Sequence, residues 1–474
     1  MKREQEFVKN SIVLSIGTIL PKFASIITLP IVTGYLTKVE YGTYDLITIL
    51  VSFVLPIATL QMQSAAFRFL ITARNESETQ KTIITNITVF TIPICILTLT
   101  ILFFLFPEIE VSTRILIILY FFVDIILTTV RQISRGLALN LAYSISAIVN
   151  SFIEMLLVVV FIWALHYGLN GALLAMIIAQ TCSLFYLSAK SHVLSYIDFR
   201  LVSKTQIKSM LSYSWPMIPN SLSSWIMRVS DRLILTWFMG VEANAIYAVA
   251  NRLPNIFSIV QSTFSLAWQE NASISVGDED SAEYYGKMFD HIFRLLVGCM
   301  ALLIAFTPII FNILIRGDYE EAYNHMPILY LAMMFSTISS YLGGIYIAHM
   351  KSKEIGITTA IAAVFNFLIN LCFVNLIGIY AASLSTLIGY MWLSIYRMRN
   401  IQKFQKIKFH YRRIVLLLLL LIVMAILCFM RIPMLDMLNM LTSVIVAFAL
   451  NRILIMKLFH TLFLQVKKNI RKDS

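Results

Sequence analysis

Charge is scarce in this chain: Asp, Glu, Lys and Arg make up only 13% of its 474 residues, against about a quarter in soluble domains. That shortage excludes an ordinary water-soluble fold. Acidic residues are scarcer still, with 25 Asp and Glu against 37 Lys and Arg and a formal net charge of +12. Cysteine is rare as well. Cys95, Cys182, Cys299, Cys372 and Cys428 each stand alone in an apolar run, with no CxxC or Cys/His spacing, so neither a disulfide framework nor a metal site is indicated. There is no P-loop, no HExxH, no GxSxG and no glycine-rich nucleotide loop. The seven histidines are dispersed, and none pairs with a nucleophile. The sequence therefore carries no catalytic residues, no cofactor site and no internal ATPase.

What the chain has in abundance is apolar sequence: 59% hydrophobic residues and a mean hydropathy of +0.81. Apolar runs of bilayer length recur from end to end, giving an all-α polytopic membrane protein with about 14 spans. Their limits are roughly 11–33, 43–70, 82–106, 113–135, 141–165, 170–189, 209–238, 244–268, 288–314, 323–349, 356–376, 378–397, 413–430 and 436–456. Met1–Asn10, with Lys2, Arg3 and Lys9, looks like the start of a signal peptide. The following run extends to about Thr33, contains Pro21, Lys22 and Pro30 and lacks a small-residue cleavage site, so it reads as a retained first helix.

The basic excess lies in short loops rather than on a soluble nucleic-acid-binding surface. Lys190, Arg200, Lys204 and Lys208 fall in one loop, and Arg397, Arg399, Lys403, Lys406, Lys408, Arg412 and Arg413 in another. Lys457, Lys467, Lys468, Arg471 and Lys472 fall in the C-terminal tail. These share a side with the N-terminus, while the opposite loops hold little beyond Lys38, Arg114, Arg316 and Arg431. The positive-inside rule puts both termini in the cytoplasm.

Two stretches recur six spans apart. Thr37-Lys38-Val39-Glu40-Tyr41-Gly42-Thr43-Tyr44 matches Gly240-Val241-Glu242-Ala243-Asn244-Ala245-Ile246-Tyr247 with a one-residue slip, and Gly168–Ala172 matches Gly378–Ala382. Six spans preserve sidedness, so the halves form a parallel pseudo-repeat. This gives an N-lobe at 1–200 (helices 1–6), a C-lobe at 201–400 (helices 7–12), and a segment at 401–474 with a basic loop, helices 13 and 14 and a basic tail.

Ionisable groups inside a bilayer are costly and face protein or water, which makes them candidates for function. The basic ones are Lys22, Arg68, Arg228, Arg232 and Arg252; the acidic ones are Asp45, Asp124, Glu154 and Asp231. Trp225, Arg228 and Arg232 share one face of span seven, where Asp231 can pair with Arg228. Asn251, Asn255, Ser258, Ser262, Ser265 and Gln269 share a face of span eight beside Arg252 and Gln261; small hydroxyls can be helix-packing glue, but six on one face read as the wall of a hydrated cavity. Gln61 and Ser64 precede Arg68 in span two. Lys22 lies deepest, between two prolines, while Arg68 sits near a helix end where it can snorkel. Arg131 and Arg135, at the inner end of span four, read as headgroup anchors. Guanidinium and ammonium groups in a low-dielectric vestibule attract phosphate, and the Asn, Gln, Ser, Tyr and Trp content suits hydroxyl-rich ligands. Together they fit a sugar carried on a phosphorylated lipid. With no ATPase, transport would be driven by a substrate gradient or by H+ or Na+, for which Asp45, Asp124, Glu154 and Asp231 are candidate coupling sites.

At this point the chain resembles the Wzx-type oligosaccharide flippases within the multidrug/oligosaccharidyl-lipid/polysaccharide exporter superfamily. Tyr35 to Tyr44 is similar to that family's hydrophobic-x-x-x-[EQ]-[FY]-G-x-[YF] turn. Ala65-Ala66-Phe67-Arg68-Phe69 resembles its basic position at the end of helix two, and Gly168–Ala172 and Gly378–Ala382 its repeated helix starts. The second copy of the turn departs from the pattern, with Asn244 or Ala245 in place of glycine. The resemblance implies two six-helix lobes around a cavity of alternating access in a bacterial cytoplasmic membrane. It also implies an undecaprenyl-diphosphate-linked oligosaccharide as substrate, with Lys22 and Arg68 at basic cavity positions, membrane lipids around the chain and other polysaccharide-assembly proteins as partners. Three other readings remain: a lipid II flippase of the same superfamily, a drug/cation antiporter, which would want an acidic cavity, and a membrane polysaccharide polymerase, which would want a large outer loop.

Overall fold

The computed structural model describes Gly17, Leu20, Pro21 and residues 23–73 and 76–470, and among these the protein is helical with no β-strand. The helices are α1 (Phe23–Tyr35), α2 (Lys38–Thr59), α3 (Met62–Thr72), α4 (Ser77–Leu105), α5 (Val111–Gly136) and α6 (Asn140–Val158). Then follow α7 (Gly168–Ser191), α8 (Lys204–Ser214), α9 (Met217–Met239), α10 (Val241–Ala250), α11 (Arg252–Ile274) and α12 (Ser281–Ala305). The remainder are α13 (Thr307–Leu314), α14 (Glu320–Ala348), α15 (Ser352–Ile377), α16 (Ile379–Ile401), α17 (Tyr411–Met430) and α18 (Pro433–Ile470). Among the described residues, 11 helices are long and apolar enough to cross a membrane, and each falls on an expected span. The other three expected spans are 11–33, of which the apolar helix Phe23–Tyr35 is described, 209–238 and 244–268. The last two are interrupted and rich in polar residues.

Proline accounts for the interruptions. Pro216, Pro254 and Pro308 have no N–H to give the carbonyl four residues back. The chain accordingly breaks between α8 and α9, between α10 and α11 and between α12 and α13. The break between α2 and α3 is of another kind: Leu60 and Gln61 take left-handed backbone, with φ of 45° and 59°. The repeated motifs both mark helix starts. Thr37 caps α2 in a reciprocal box with Glu40, and Gly168 and Gly378, at φ of 55° and 59°, open α7 and precede α16.

The chain divides into two compact units, Met1–Ala248 with Leu314–Asp318, and Val249–Ile313 with Tyr319–Ser474. These follow packing, whereas the lobes at 1–200 and 201–400 follow repetition, so α9 and most of α10 fall in the first unit. Its interior holds an apolar cluster around Met62, Leu70, Ile84, Leu127 and Leu187 and another around Ile47, Ala58, Cys95, Ile125 and Leu173. The second unit is built on α14, buried along nearly its whole length against α11, α12 and α16.

One reading is corrected in the second unit. Arg397 belongs not to a basic loop but to the buried side of α16, with 4% of its surface exposed. Its Nε and Nη2 donate to Thr358 Oγ1 (3.2 and 3.1 Å), Nη2 also to Thr359 Oγ1 (2.9 Å) and Nη1 to the Ser339 carbonyl (2.8 Å). A buried guanidinium must be hydrogen-bonded to persist. These bonds fasten α16 to α14 and α15, which local sequence does not reveal.

Candidate functional site

The polar side chains of α9 meet α2 and α3 within the first unit. Ser221, Trp225 and Arg232 lie four and seven residues apart, spacings that keep them on one helix face. Ser221 Oγ accepts from Gln61 Nε2 at 2.7 Å. Trp225 is buried, its indole N–H donating to the Ile49 carbonyl at 3.1 Å and its ring 4.7 Å from that of Phe53. Arg232 Nη1 donates to both oxygens of Asp45, at 3.0 and 2.8 Å, with side-chain exposures of 15% and 6%. The local expectation paired Asp231 with Arg228, whose side chain lies outside the described residues, and left Arg232 without a counter-charge. The structure instead neutralises Arg232 across helices, and Asp231 accepts from the Tyr247 hydroxyl at 3.2 Å.

Next to this ion pair the two copies of the repeated turn touch. A Cβ on Gly42 would run into the Val241 carbonyl, so only glycine lets α2 approach α10 this closely. Asn244, which departs from the glycine of the family pattern, is fully buried. Its Nδ2 donates to the Gly42 carbonyl at 3.3 Å and lies 3.4 Å from Asp45 Oδ2. The departure thus adds a donor where the ion pair needs one.

The left-handed pair Leu60–Gln61 is surrounded by a polar knot. Gln61 Oε1 accepts from Ser64 Oγ (2.8 Å) and Gln63 Nε2 (3.1 Å), while Thr59 Oγ1 donates to Gln63 Oε1 (2.6 Å). Thr59, Gln61 and Gln63 are all buried. A broken helix at membrane depth leaves backbone groups that need internal partners, and these side chains provide a polar surround. Gln61 and Ser64 were legible as polar members of the span; Thr59 and Gln63 take part although they lie off that face.

A third group joins α5, α6 and α7. Asp124 Oδ1 accepts from Gln180 Nε2 at 2.8 Å. Arg131, read from sequence as a headgroup anchor, is half-buried with Nε and Nη2 each 3.4 Å from Ser146 and Ser183 hydroxyls, and it acts electrostatically on Asp124. Glu154 is half-buried on α6 and has partners of its own.

The stripe on α11, in the second unit, divides. Gln261 and Ser265 turn to α14, meeting Ser336 at 3.4 Å and Ser340 at 2.7 Å, so these two serve helix packing. Asn255 is exposed, and Ser258 Oγ donates back to the Asn255 carbonyl at 2.6 Å. Asn251 and Arg252 are half-buried and already bonded. Arg68, on α3, is exposed, with no carboxylate at ion-pairing distance among the described residues. Lys22 lies outside the described residues, as do the side chains of Arg228 and Ser262.

The family model described as polysaccharide biosynthesis protein matches residues 7–268, more than half of the chain. The chain belongs to that family. An uncharacterised membrane protein of Methanocaldococcus jannaschii is 24% identical over 327 residues, 66% of this chain and 64% of its own length, so the chain spans less than two thirds of that relative. Among solved structures, the lipid II flippase MurJ in an inward closed conformation aligns over 94% of this chain and 100% of its own, with a TM-score of 0.70 at 14% identity. An inward-facing multidrug transporter of the MATE family, in the multidrug/oligosaccharidyl-lipid/polysaccharide superfamily, covers 86% of this chain and 98% of its own, with a TM-score of 0.65 at 15% identity. A transporter of the same superfamily from Pyrococcus furiosus, titled for the reverse polarity of its binding pocket, covers 83% and 95%, with a TM-score of 0.54 at 14% identity. The chain is a multi-pass membrane protein with the fold of this superfamily's flippases and transporters, which are not enzymes.

Proposed function

We propose that the chain moves a polyprenyl-diphosphate-linked oligosaccharide from the cytoplasmic to the outer leaflet of a bacterial cytoplasmic membrane by alternating access. The observation that carries this reading is the family match over residues 7–268. The polar ties inside spans one would expect to be apolar add support: Gln61, Ser64, Ser221 and Arg68 offer amides, hydroxyls and a cation, the chemistry of a sugar diphosphate. Lys22, Arg68, Arg228, Arg232 and Arg252 form the proposed cationic set. Within it, Arg68 is exposed with no carboxylate at ion-pairing distance among the described residues, whereas Arg232 reaches a phosphate only by leaving Asp45.

Coupling to H+ or Na+ would fall to the buried carboxylates. Asp45 already balances Arg232, which favours Asp124 and Glu154 as the coupling pair. Both termini would be cytoplasmic, and polysaccharide-assembly proteins would supply and take up the lipid-linked sugar.

The test is reconstitution into liposomes with three fluorescent cargoes: a polyprenyl-diphosphate oligosaccharide, lipid II and a cationic dye. Faster movement of the oligosaccharide lipid than of the other two supports the reading. Preference for lipid II would move the chain to the peptidoglycan branch, and dye export against a proton gradient without lipid movement would overturn the proposal.

A further inference from the structure

In the first unit, α3, α5 and α7 run toward one end and reach it at Thr72, Gly136 and Ser191. Gly136 sits against α3, where a Cβ would lie 2.6 Å from the Leu70 Cβ. This close approach carries the ring of Phe67 to Arg135. The Arg135 Cζ lies 4.7 Å from the Phe67 ring centroid and 5.6 Å from that of Tyr143 on α6. The hydrogen bond from Arg135 Nη1 to Gln132 Oε1 is long, at 3.4 Å, and no carboxylate stands at ion-pairing distance among the described residues. Arg68, beside Phe67 in sequence, is exposed and likewise has no carboxylate at ion-pairing distance among the described residues.

A guanidinium near a helix end often does no more than snorkel to the headgroups. A snorkelling side chain is mobile, and Arg135 is held against two aromatic rings. A guanidinium set over an aromatic ring is attracted by its π face and keeps an N–H edge for acceptors. That edge matches two oxygens of one phosphate, and fixing it in advance lowers the entropy lost on binding. Phe67 and Tyr143 would not restrain a lysine in the same way, because an ammonium is a point charge without a plane.

We infer that Arg135, set over the Phe67 and Tyr143 rings and seconded by Arg68, is a phosphate-recognition site for a lipid headgroup or a lipid diphosphate. It does not include Arg232, which Asp45 holds on α9. Its placement at the cytoplasmic face rests on the proposed topology; its chemistry does not.

The experiment uses the full chain in detergent, stripped of anionic lipid, and reads thermal stabilisation and affinity for three probes: inorganic pyrophosphate, farnesyl diphosphate and phosphatidylglycerol. The expected result is stabilisation by at least one probe, weakened about tenfold in Arg135→Lys and in Phe67→Leu and unchanged in the Arg200→Lys control. Response to pyrophosphate alone identifies the diphosphate as the ligand. Response to farnesyl diphosphate but not phosphatidylglycerol identifies a prenyl carrier, and the converse identifies a bulk headgroup. The inference is overturned if no probe stabilises the wild type, or if Arg135→Lys, which keeps the charge, binds as tightly as wild type. Binding is scored without transport, so loss of this site leaves the translocation reading standing, and absent transport with intact binding leaves the site standing.

Discussion

Arg232 on α9 and Asp45 on α2, 187 residues apart in sequence, form a buried ion pair at 2.8 Å that ties the seventh span to the second within one unit. Removing one member of such a pair leaves the other charge buried and uncompensated, a cost of about 3–5 kcal/mol. Asp45→Asn is therefore expected to lower thermal stability strongly. The double variant Asp45→Asn with Arg232→Met should recover much of the loss, since it removes both charges. Thermal unfolding of the purified variants in detergent checks this, and equal destabilisation in the single and double variants would count against the pairing.

Gly42→Ala places a methyl group against the Val241 carbonyl. Overpacking of this kind costs about 1–3 kcal/mol, and here the obstacle is backbone, which yields less readily than a side-chain tip. The variant should be destabilised although alanine is the better helix former. A rise in unfolding temperature would show that α2 and α10 do not approach this closely.

Gln61→Leu removes the acceptor of Gln63 and Ser64 and the donor to Ser221. Each buried polar group left without a partner costs about 1–3 kcal/mol. Unfolding measurements should place this variant well below Leu60→Ala, which deletes only apolar contact at the same break.

Eleven of the spans were legible in the sequence, because bilayer-length apolar runs are a local signal. The proline breaks at 216, 254 and 308 have a cause that lies in the chain itself. What could not be read were the partners. Asp231 was the visible counter-charge for Arg228 and left Arg232 without one; Asp45 holds the Arg232 guanidinium because α2 lies against α9. Periodicity put Ser265 on the face of Asn255 with Gln261 beside it, but it could not say that α14 would cover Gln261 and Ser265 with Ser336 and Ser340. Asn244 or Ala245 was visible as a departure from glycine, and the use of Asn244 became clear only beside Gly42 and Asp45. Arg397 looked like a loop charge because it lies among basic residues, while its acceptors come from α14 and α15, some forty to sixty residues earlier.

Just past the end of α14, His349 lies 5.1 Å from Phe404, its Nε2 buried with no hydrogen-bond partner among the described residues. Burial, then the nearby Lys351 charge, pushes its pKa below the ordinary histidine value of 6.5. The folded state thus takes up a proton less readily than the unfolded state. Its contribution is fully present above pH 6.5 and is lost as pH falls from there through the lowered folded pKa. His349→Phe should flatten this part of the stability–pH curve, as read by unfolding temperature from pH 7.5 to 5; an unchanged slope would remove His349 as its source.

The most direct measurement is the initial rate at which a fluorescent polyprenyl-diphosphate oligosaccharide crosses the bilayer in proteoliposomes, for wild type and Arg68→Ala against protein-free liposomes. The account predicts movement well above background for wild type, and a rate about tenfold lower for Arg68→Ala at unchanged thermal stability, as expected for loss of a charge-assisted phosphate contact. Wild-type rates no faster than protein-free liposomes, from a folded protein that exports a cationic dye, would contradict it.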